Sequence, residues 1–361
     1  MLAAIAAVPG TDEPRVVHLQ DPPQPSPDQV LVKTVRLGIC GTDRDILESR
    51  QPAVPPGEPF LVLGHECLGE IVAVGSAVRD WQVGDRVVPL VRRPRFPSAR
   101  RPDFLPLGKF VERGIFYEHG FSAPLWLDRP EYLVRVPQEL DHLAVFTEPL
   151  AVVEKAIREA TLLQSARLGD AAWPATGPRV LVTGLGPIAF AALLACRVRG
   201  WTVSVYGRAS SQQRRPLLVE RFGGRYVPDT TWKDVLEDVE QEGFDLLLEC
   251  TGSAEVLVRT STALASCGVA VWLGSSRTAE ERPLNVDRLM RHAVIRNHLH
   301  LGTVNAARTD FESALADLQT SRQRFGELVY EIFTDEVQLG ESLWHFRHRG
   351  PESIKTVVVY S

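Results

Sequence analysis

Hydrophobic and polar positions follow two different patterns along the chain, and the change comes near residue 150. Before it, short stretches that alternate apolar and polar residues, such as 30–35 and 68–74, are separated by turns rich in proline and glycine. The apolar residues 1–8 run directly into Pro9-Gly10 and are typical of a first strand. Alternation over strand length with frequent turns predicts a compact, barrel-like β domain over residues 1–150.

From residue 151 onwards, apolar runs of strand length alternate with helical stretches. This alternation predicts α/β architecture with a doubly wound parallel sheet over residues 151–305. Strands are predicted at 179–183, 202–206, 244–249, 268–273 and 299–305, and one of the helices at 254–265.

The last part of the chain, residues 306–361, predicts an amphipathic helix at 310–321 and a closing strand at 356–360. We expect this segment to return to the first domain and the closing strand to pack against it. A chain of 361 residues is long enough for two domains, each with its own core. The fold class is therefore α/β plus β, with a doubly wound parallel-sheet domain inserted into a β-rich one.

Composition narrows the function classes. A net charge of −5 gives no electrostatic reason to expect a nucleic acid or an anionic membrane as partner. No apolar run approaches the length of a membrane span, and the N-terminus lacks the basic region of a signal peptide. The five scattered cysteines do not resemble a disulfide framework, which predicts a cytoplasmic protein.

Two short motifs in the first domain carry potential zinc ligands. Cys40 begins Cys-Gly-Thr-Asp, and His65 lies 25 residues further on in Gly-His-Glu. Thiolate, imidazole and carboxylate are ligands that zinc takes, and a catalytic zinc has three protein ligands. Glu148, in Phe-Thr-Glu-Pro, offers a third ligand. The alternative is that Cys40 and His65 are packing residues beside tight turns without metal.

A glycine-rich turn follows the first strand of the second domain. The sequence reads G-x-G-x-x-A between a predicted strand and a predicted helix, which is the dinucleotide-binding fingerprint in its expected context. The first glycine permits the turn, the second lets the backbone approach a pyrophosphate, and the helix N-terminus supplies amide donors. The residues of this turn that we expect to bind the cofactor are Gly184, Gly186, Pro187, Ile188 and Ala189.

Further cofactor contacts are expected where the later strands end, because open α/β sheets bind ligands at the carboxyl ends of their strands. These positions are Gly207, Arg208, Thr251, Gly252, Leu273, Val304 and Asn305.

The end of the second strand predicts the choice of cofactor. NAD-specific enzymes have an acid there to hold the ribose diol, whereas this chain has Arg208, 24 residues beyond Gly184. A guanidinium can pair with a 2′-phosphate. Arg214 and Arg215 either assist or are plain surface charges. We therefore expect NADP to be accepted and preferred, with NAD as a second cofactor.

Taken together, these residues resemble the zinc-dependent medium-chain dehydrogenase/reductase family, and within it the glucose 1-dehydrogenase branch. The resemblance covers nearly the whole chain and implies a GroES-like catalytic domain with an inserted Rossmann domain. The strings that carry it are Cys40-Gly-Thr42-Asp43, Glu112-Arg-Gly-Ile115, Glu148-Pro149 and Gly302-Thr-Val-Asn305.

The resemblance also implies roles for individual residues. Zinc would be held by Cys40, His65 and Glu148, with Glu66 able to approach the metal during turnover. Substrate contacts would come from Thr42, Glu112, Glu148 and Asn305. Homodimers or homotetramers are typical of the family.

One departure from the family concerns residues 92–108. Many relatives carry a second, structural zinc on a lobe with four closely spaced cysteines, and this stretch has none. We therefore expect one catalytic zinc per chain and no structural zinc.

The activity that the resemblance implies is oxidation of the C1 hydroxyl of an aldose, D-glucose or D-galactose, to the lactone with hydride transfer to NAD(P)+. Thr42, two residues from a ligand and beside the substrate oxygen, is expected to relay the proton, and Glu66 to assist catalysis. Asp43 is expected to orient His65.

Two alternatives to this activity stay open. One is oxidation of another polyol, an amino alcohol or a sugar-like biosynthetic intermediate, and the other is a non-catalytic NADP-binding protein.

Overall fold

The structure is a computed structural model that describes residues 1–96, 101–232, 234, 243–275 and 283–360. Residues 97–100 of the stretch discussed above, 92–108, lie outside this description. The chain divides into two compact units. The first contains Met1–Ala151, Asn305–Gln319 and Phe333–Ser361, and the second contains Val152–Val304 and Thr320–Ile332. The sequence predicts the last of these stretches, Thr320–Ile332, in the segment that returns to the first domain, whereas the structure places it in the second unit.

The elements are numbered in chain order. The strands are β1 (Leu2–Ala7), β2 (Arg15–Leu19), β3 (Val30–Ile39), β4 (Leu61–Val62), β5 (Glu66–Val74), β6 (Arg86–Pro89), β7 (Arg92–Pro94), β8 (Phe110–Arg113), β9 (Tyr117–Glu118), β10 (Leu125–Asp128), β11 (Leu133–Arg135), β12 (Arg179–Thr183), β13 (Thr202–Gly207), β14 (Arg225–Pro228), β15 (Phe244–Glu249), β16 (Leu264–Trp272), β17 (Leu299–Gly302), β18 (Phe333–Gln338) and β19 (Lys355–Val359). The helices are α1 (Gly41–Ser49), α2 (Thr147–Leu168), α3 (Pro187–Val198), α4 (Arg214–Arg221), α5 (Ala254–Ser261), α6 (Val286–Ile295), α7 (Arg308–Phe325) and α8 (Ser342–Arg347).

The first unit is built around a sheet in the order β11-β6-β5-β3-β19-β18, with β10 paired to β3. Alternate residues of β3, such as Val30 and Val32, are fully buried in the core, as the alternating pattern requires. The closing strand β19 pairs antiparallel with β3, with Thr356 opposite Ile39. The β-rich character of the first domain is thus confirmed, and the last strand lies in the same sheet.

The second unit contains a six-stranded parallel sheet in the order β14-β13-β12-β15-β16-β17. From β12 the chain continues outwards to β13 and β14 on one side, and then to β15, β16 and β17 on the other side. The topological switch point therefore lies between β12 and β15, and open α/β sheets bind ligands at such a point. Val180, Leu181 and Leu247 are completely buried, which explains why β12 and β15 are continuous apolar runs. The predicted doubly wound sheet is confirmed.

One helix ends earlier than predicted. The helical pattern over 254–265 stops at Ser261, and β16 already begins at Leu264. The hydroxyl groups of Thr260 and Thr262 donate hydrogen bonds to the carbonyl groups of Val256 and Arg259, at 2.8 Å each. Such side-chain bonds compete with the helix ladder, so they favour a helix end here.

Among the residues that the structure describes, no helix has the length and apolar character needed to cross a membrane.

Candidate metal and nucleotide sites

Three potential metal ligands meet in the first unit. One ligand atom each from Cys40, His65 and Glu66 lies within 4.8 Å of the other two. The first follows β3 directly, and the others lie where β5 begins. Because β3 and β5 are antiparallel neighbours, with Gly38 opposite Glu66, the end of one strand meets the start of the other. The sheet therefore brings together residues that are 25 positions apart in sequence.

Asp43 links the two ligand segments. Its carboxylate accepts hydrogen bonds from the backbone N–H of Cys40, at 2.8 Å, and of Gly64, at 3.2 Å. Cys40 is also the N-cap of α1, so the first of these bonds fixes the start of that helix. The carboxylate lies 3.6 Å from Nδ1 of His65. This distance is within the range of an ion pair, and the orientation of the imidazole by Asp43 stays a prediction.

The surroundings of His65 favour positive charge. Burial by itself would lower the pKa of this imidazole, but the Asp43 carboxylate and the neighbouring Cys40 raise the pKa well above its usual value. A site that favours a cation in this way, with a sulfur, a nitrogen and an oxygen ligand converging, fits zinc. The fit is supported by the convergence of the three side chains, of which His65 and Glu66 are almost completely buried.

Glu66 also forms an ion pair with the ammonium group of Lys355, and both side chains are buried. The Lys355 ammonium donates a further hydrogen bond, 3.0 Å long, to the carbonyl group of Ile39. Gly38 leaves the room for this pair, because a Cβ atom there would lie 2.3 Å from Oε2 of Glu66 and 2.7 Å from Cε of Lys355. The glycine of the Leu-Gly-Ile-Cys stretch is therefore required by close approach.

Glu148 is near the three ligands but is not one of the group that lies within 4.8 Å. It is the second residue of α2 and is partly buried. Burial raises the pKa of its carboxyl group to about 7, and the negative charges of Glu66 and Glu112 act in the same direction, whereas His65 and Lys355 oppose them. Its role as a metal ligand stays a prediction.

Glu112 and Asn305, the two residues predicted to bind substrate, contact each other. The amide Nδ2 of Asn305 donates a 3.0 Å hydrogen bond to Oε1 of Glu112. The same oxygen accepts a 2.8 Å hydrogen bond from Nε of Arg92. Asn305 has a positive φ of 63°, in the left-handed region that Asn adopts more readily than most residues with a Cβ atom. Thr42 is the second residue of α1 and is half-buried.

The glycine-rich turn of the second unit has the expected local structure. Gly184 follows β12 with a φ of 96°, and a Cβ atom there would lie 3.0 Å from Cγ2 of Thr251. Gly186 is the N-cap of α3, and Pro187 is its first residue. Ile188 and Ala189 follow in the first turn of that helix, so the amide groups of the helix start lie next to the turn.

The remaining cofactor positions lie where the strands of the parallel sheet end. Gly207 ends β13, and Arg208 after it is exposed. A 2.7 Å hydrogen bond from the hydroxyl of Tyr226 to the carbonyl of Ala209 fixes this loop. Thr251 and Gly252 follow β15, Leu273 follows β16, and Val304 lies two residues beyond β17. Direct cofactor contacts by these residues stay predictions.

Sequence comparisons identify the family. The family described as "Alcohol dehydrogenase GroES-like domain" matches residues 26–116, and the family described as "Glucose dehydrogenase C-terminus" matches residues 141–360. Glucose 1-dehydrogenase 1 of Vulcanisaeta moutnovskia is 39% identical over 349 residues, which cover 94% of each chain. Glucose 1-dehydrogenase of Thermoproteus tenax is 37% identical over 340 residues, again with 94% of each chain covered.

The chain belongs to the glucose dehydrogenase family of zinc-dependent medium-chain dehydrogenases/reductases. A solved structure from this family, Haloferax mediterranei glucose dehydrogenase in complex with NADP, Zn and gluconolactone, is similar over 99% of both chains, with a TM-score of 0.85 and 29% sequence identity. The predicted resemblance and the predicted fold class are confirmed.

Two residues that the sequence analysis did not select contact the predicted site residues of this family member. Lys355 pairs with Glu66, and Arg92 binds Glu112. The available signal for Lys355 was a single lysine at the start of an otherwise apolar closing strand. Arg92 lies in the arginine-rich stretch after β6, where several similar residues gave no reason to choose one.

Proposed function

We propose that this protein oxidises the C1 hydroxyl group of an aldose, D-glucose or D-galactose, to the lactone and transfers the hydride to NADP+, with NAD+ as a second acceptor. The observation that carries the proposal is the meeting of Cys40, His65 and Glu66 in one cluster, with Cys40 half-buried and the other two buried, in a chain whose family is that of glucose dehydrogenases. The relatives named glucose 1-dehydrogenase and the Haloferax structure with gluconolactone support the choice of substrate.

One zinc ion would be held by Cys40, His65 and Glu148, with Glu66 able to approach it during turnover. Zinc supplies Lewis acidity, which lowers the pKa of a bound hydroxyl group. Asp43 holds the two ligand segments together through its hydrogen bonds to Cys40 and Gly64. Lys355 balances the charge of Glu66 when that carboxylate is not used as a ligand.

Thr42 receives the proton of the C1 hydroxyl group. Its hydroxyl oxygen can accept that proton while it releases its own proton towards solvent, because Thr42 lies in the first turn of α1, two residues beyond Cys40, and is half-buried. Glu112 and Asn305 orient the sugar ring. The carboxylate can accept hydrogen bonds from sugar hydroxyl groups, and Arg92 and Asn305 hold it in place from one side.

The cofactor occupies the switch point of the parallel sheet in the second unit. NADP is the hydride acceptor of the reaction. The amide groups after Gly186 take its pyrophosphate, and Arg208 pairs with its 2′-phosphate. The exposed guanidinium of Arg208 lies directly after β13, where a specific NAD enzyme would have an acid.

A substrate panel tests this function against the alternatives. We expect saturable NADP reduction with D-glucose or D-galactose, no comparable rate with sorbitol or threonine, and loss of all turnover after treatment with a zinc chelator, restored by added zinc. A preference for sorbitol or threonine would favour the polyol or amino alcohol alternative. NADP binding without turnover of any substrate would favour a non-catalytic relative.

We also propose that the chain acts as a homodimer or homotetramer in the cytoplasm. In the second unit, β17 is the last strand in the order of its sheet, and the neighbouring helix α6 exposes Met290, Val294 and Ile295. An edge strand beside exposed apolar side chains suits pairing with a second copy. The five cysteines are free thiols, which suits a reducing compartment. Light scattering on the purified protein measures the oligomeric state.

A further inference from the structure

Glu249 is a buried acid at the edge of the sheet where the cofactor is proposed to bind. It is the last residue of β15, and only 2% of its surface is exposed. The five residues before it in this strand include three consecutive leucines, so the carboxylate ends a largely apolar strand. A buried carboxylate is stable only when hydrogen-bond donors compensate its lost hydration. Its partners therefore indicate what it does.

The donors to this carboxylate come from the ends of two neighbouring strands. The hydroxyl of Thr183, the last residue of β12, donates to Oε1 at 3.1 Å. The backbone N–H of Thr251 donates to Oε1 at 2.8 Å, and its hydroxyl donates to the same oxygen. The backbone N–H of Gly252 donates to Oε2 at 3.1 Å. Most of these donors belong to the loop after β15.

The backbone of Glu249 joins a third strand end to the first two. Its carbonyl group accepts hydrogen bonds from the N–H groups of Leu273 and Gly274, at 2.9 Å each, in the loop after β16. Thr251, which the carboxylate holds, is the residue against which Gly184 of the glycine-rich turn lies. One residue thus fixes the loops after β12, β15 and β16 relative to one another.

We propose that Glu249 is a positioning residue for the dinucleotide, which it does not itself touch. Its carboxylate holds Thr251 and Gly252 against the glycine-rich turn. The loops at this edge of the sheet are therefore preorganised for the cofactor. Without the carboxylate this loop can move. Ordering the loop when NADP binds then makes the binding free energy less favourable. The proposal rests on the proposed function, because it assumes that NADP binds at this edge.

Glu249→Gln is the test variant, and Asp245→Asn is the matched control. Asp245 lies in the same strand, and its carboxylate also bridges β15 to β12, through a 2.8 Å hydrogen bond from the N–H of Arg179. It does so at the amino end of the strands, away from the proposed cofactor site. Isothermal titration calorimetry with NADP gives Kd for the wild type and both variants, and thermal unfolding without cofactor gives their stability.

We expect Glu249→Gln to raise the Kd of NADP by about tenfold or more, since hydrogen bonds to a charged acceptor are lost, while Asp245→Asn leaves Kd unchanged. Both variants lower Tm. In steady-state assays, the KM for NADP rises in Glu249→Gln, and the KM for the sugar at saturating NADP does not.

Thr183→Val serves as a second variant if Glu249→Gln does not fold. It removes one donor to the carboxylate with little change in shape and should raise Kd in the same direction by a smaller factor. An unchanged Kd in a folded Glu249→Gln protein, or an equal rise in Asp245→Asn, would overturn the positioning role. A wild type that binds no NADP would instead overturn the proposed cofactor, and the role of Glu249 with it.

Discussion

The ammonium group of Lys355 and the carboxylate of Glu66 form an ion pair in which both side chains are almost completely excluded from solvent. The pair joins the last strand of the chain to the strand that begins at the metal ligands. A buried charge without a partner is costly. Lys355 therefore allows Glu66 to stay ionised beside the proposed zinc site when it is not a ligand.

Replacing this lysine should destabilise the zinc-free protein. Lys355→Met leaves Glu66 buried without a counter-charge and should lower the free energy of unfolding by about 3 kcal/mol. Zinc can compensate the carboxylate, so we expect a smaller loss in zinc-loaded protein. Chemical denaturation with and without a chelator measures both values.

The double variant Lys355→Met/Glu66→Gln is the control, because it removes both charges and should recover much of the lost stability. Equal losses in zinc-free and zinc-loaded protein would contradict a link between this pair and the metal.

Metal content gives a second prediction. We expect elemental analysis to find one zinc per chain in the wild type. In Cys40→Ser a hydroxyl group replaces the thiolate ligand, so we expect the zinc content to fall to about a tenth or less. Cys267→Ser is a suitable control, since this cysteine lies in the second unit. Two equivalents of zinc in the wild type would contradict the single-site prediction.

The proton relay gives a third prediction. Thr42→Ala should lower kcat by about a hundredfold or more while zinc content and the Kd of NADP stay unchanged. Thr42→Ser keeps the hydroxyl group and should retain most of the rate. A rate in Thr42→Ala equal to that of the wild type would remove this residue from the mechanism.

The contact between Arg92 and Glu112 gives a fourth prediction. Arg92→Met removes one of the two donors to Oε1 of Glu112 and should raise the KM for the sugar by about tenfold, with a smaller change in kcat. Arg95→Met is the control, because Arg95 is exposed and lies over the ring of Tyr117 instead. A similar rise in both variants would indicate a general effect of charge.

Cofactor choice gives a fifth prediction. Arg208→Ala should lower the ratio of kcat/KM for NADP to kcat/KM for NAD by about tenfold or more, because a charged partner of the 2′-phosphate is removed. Arg221→Ala, which removes an exposed guanidinium paired with Glu331, is the control. Equal cofactor ratios in wild type and Arg208→Ala would argue that another residue selects NADP.

Local sequence patterns predicted the parts of the fold and site that depend on neighbours in sequence. The strands 179–183 and 244–249 have the predicted bounds, because each is an apolar run with a polar or glycine residue at its end. Cys40 and His65 could be selected because thiol and imidazole groups flanked by glycines are uncommon. The end of α5 was missed because side-chain hydrogen bonds from threonines decide it.

Contacts between distant residues could not be predicted in this way. Lys355 reaches Glu66 only because β19 pairs with β3, and no local feature of residues 353–357 indicates that register. The same holds for Arg92, whose partner Glu112 lies on the neighbouring strand β8. Charged residues that are buried by a distant strand look like ordinary surface charges in the sequence.

The carboxylate of Asp43 joins the start of α1 to the loop before β5. The residue that supplies the sulfur is thus also the residue from which a helix starts. Fraying of the first turn of α1 would withdraw the thiolate, so the rate at which the ion escapes should follow the opening of a few backbone amides. Hydrogen exchange at the amides of Cys40 and Gly64 would then report how firmly the protein retains its metal.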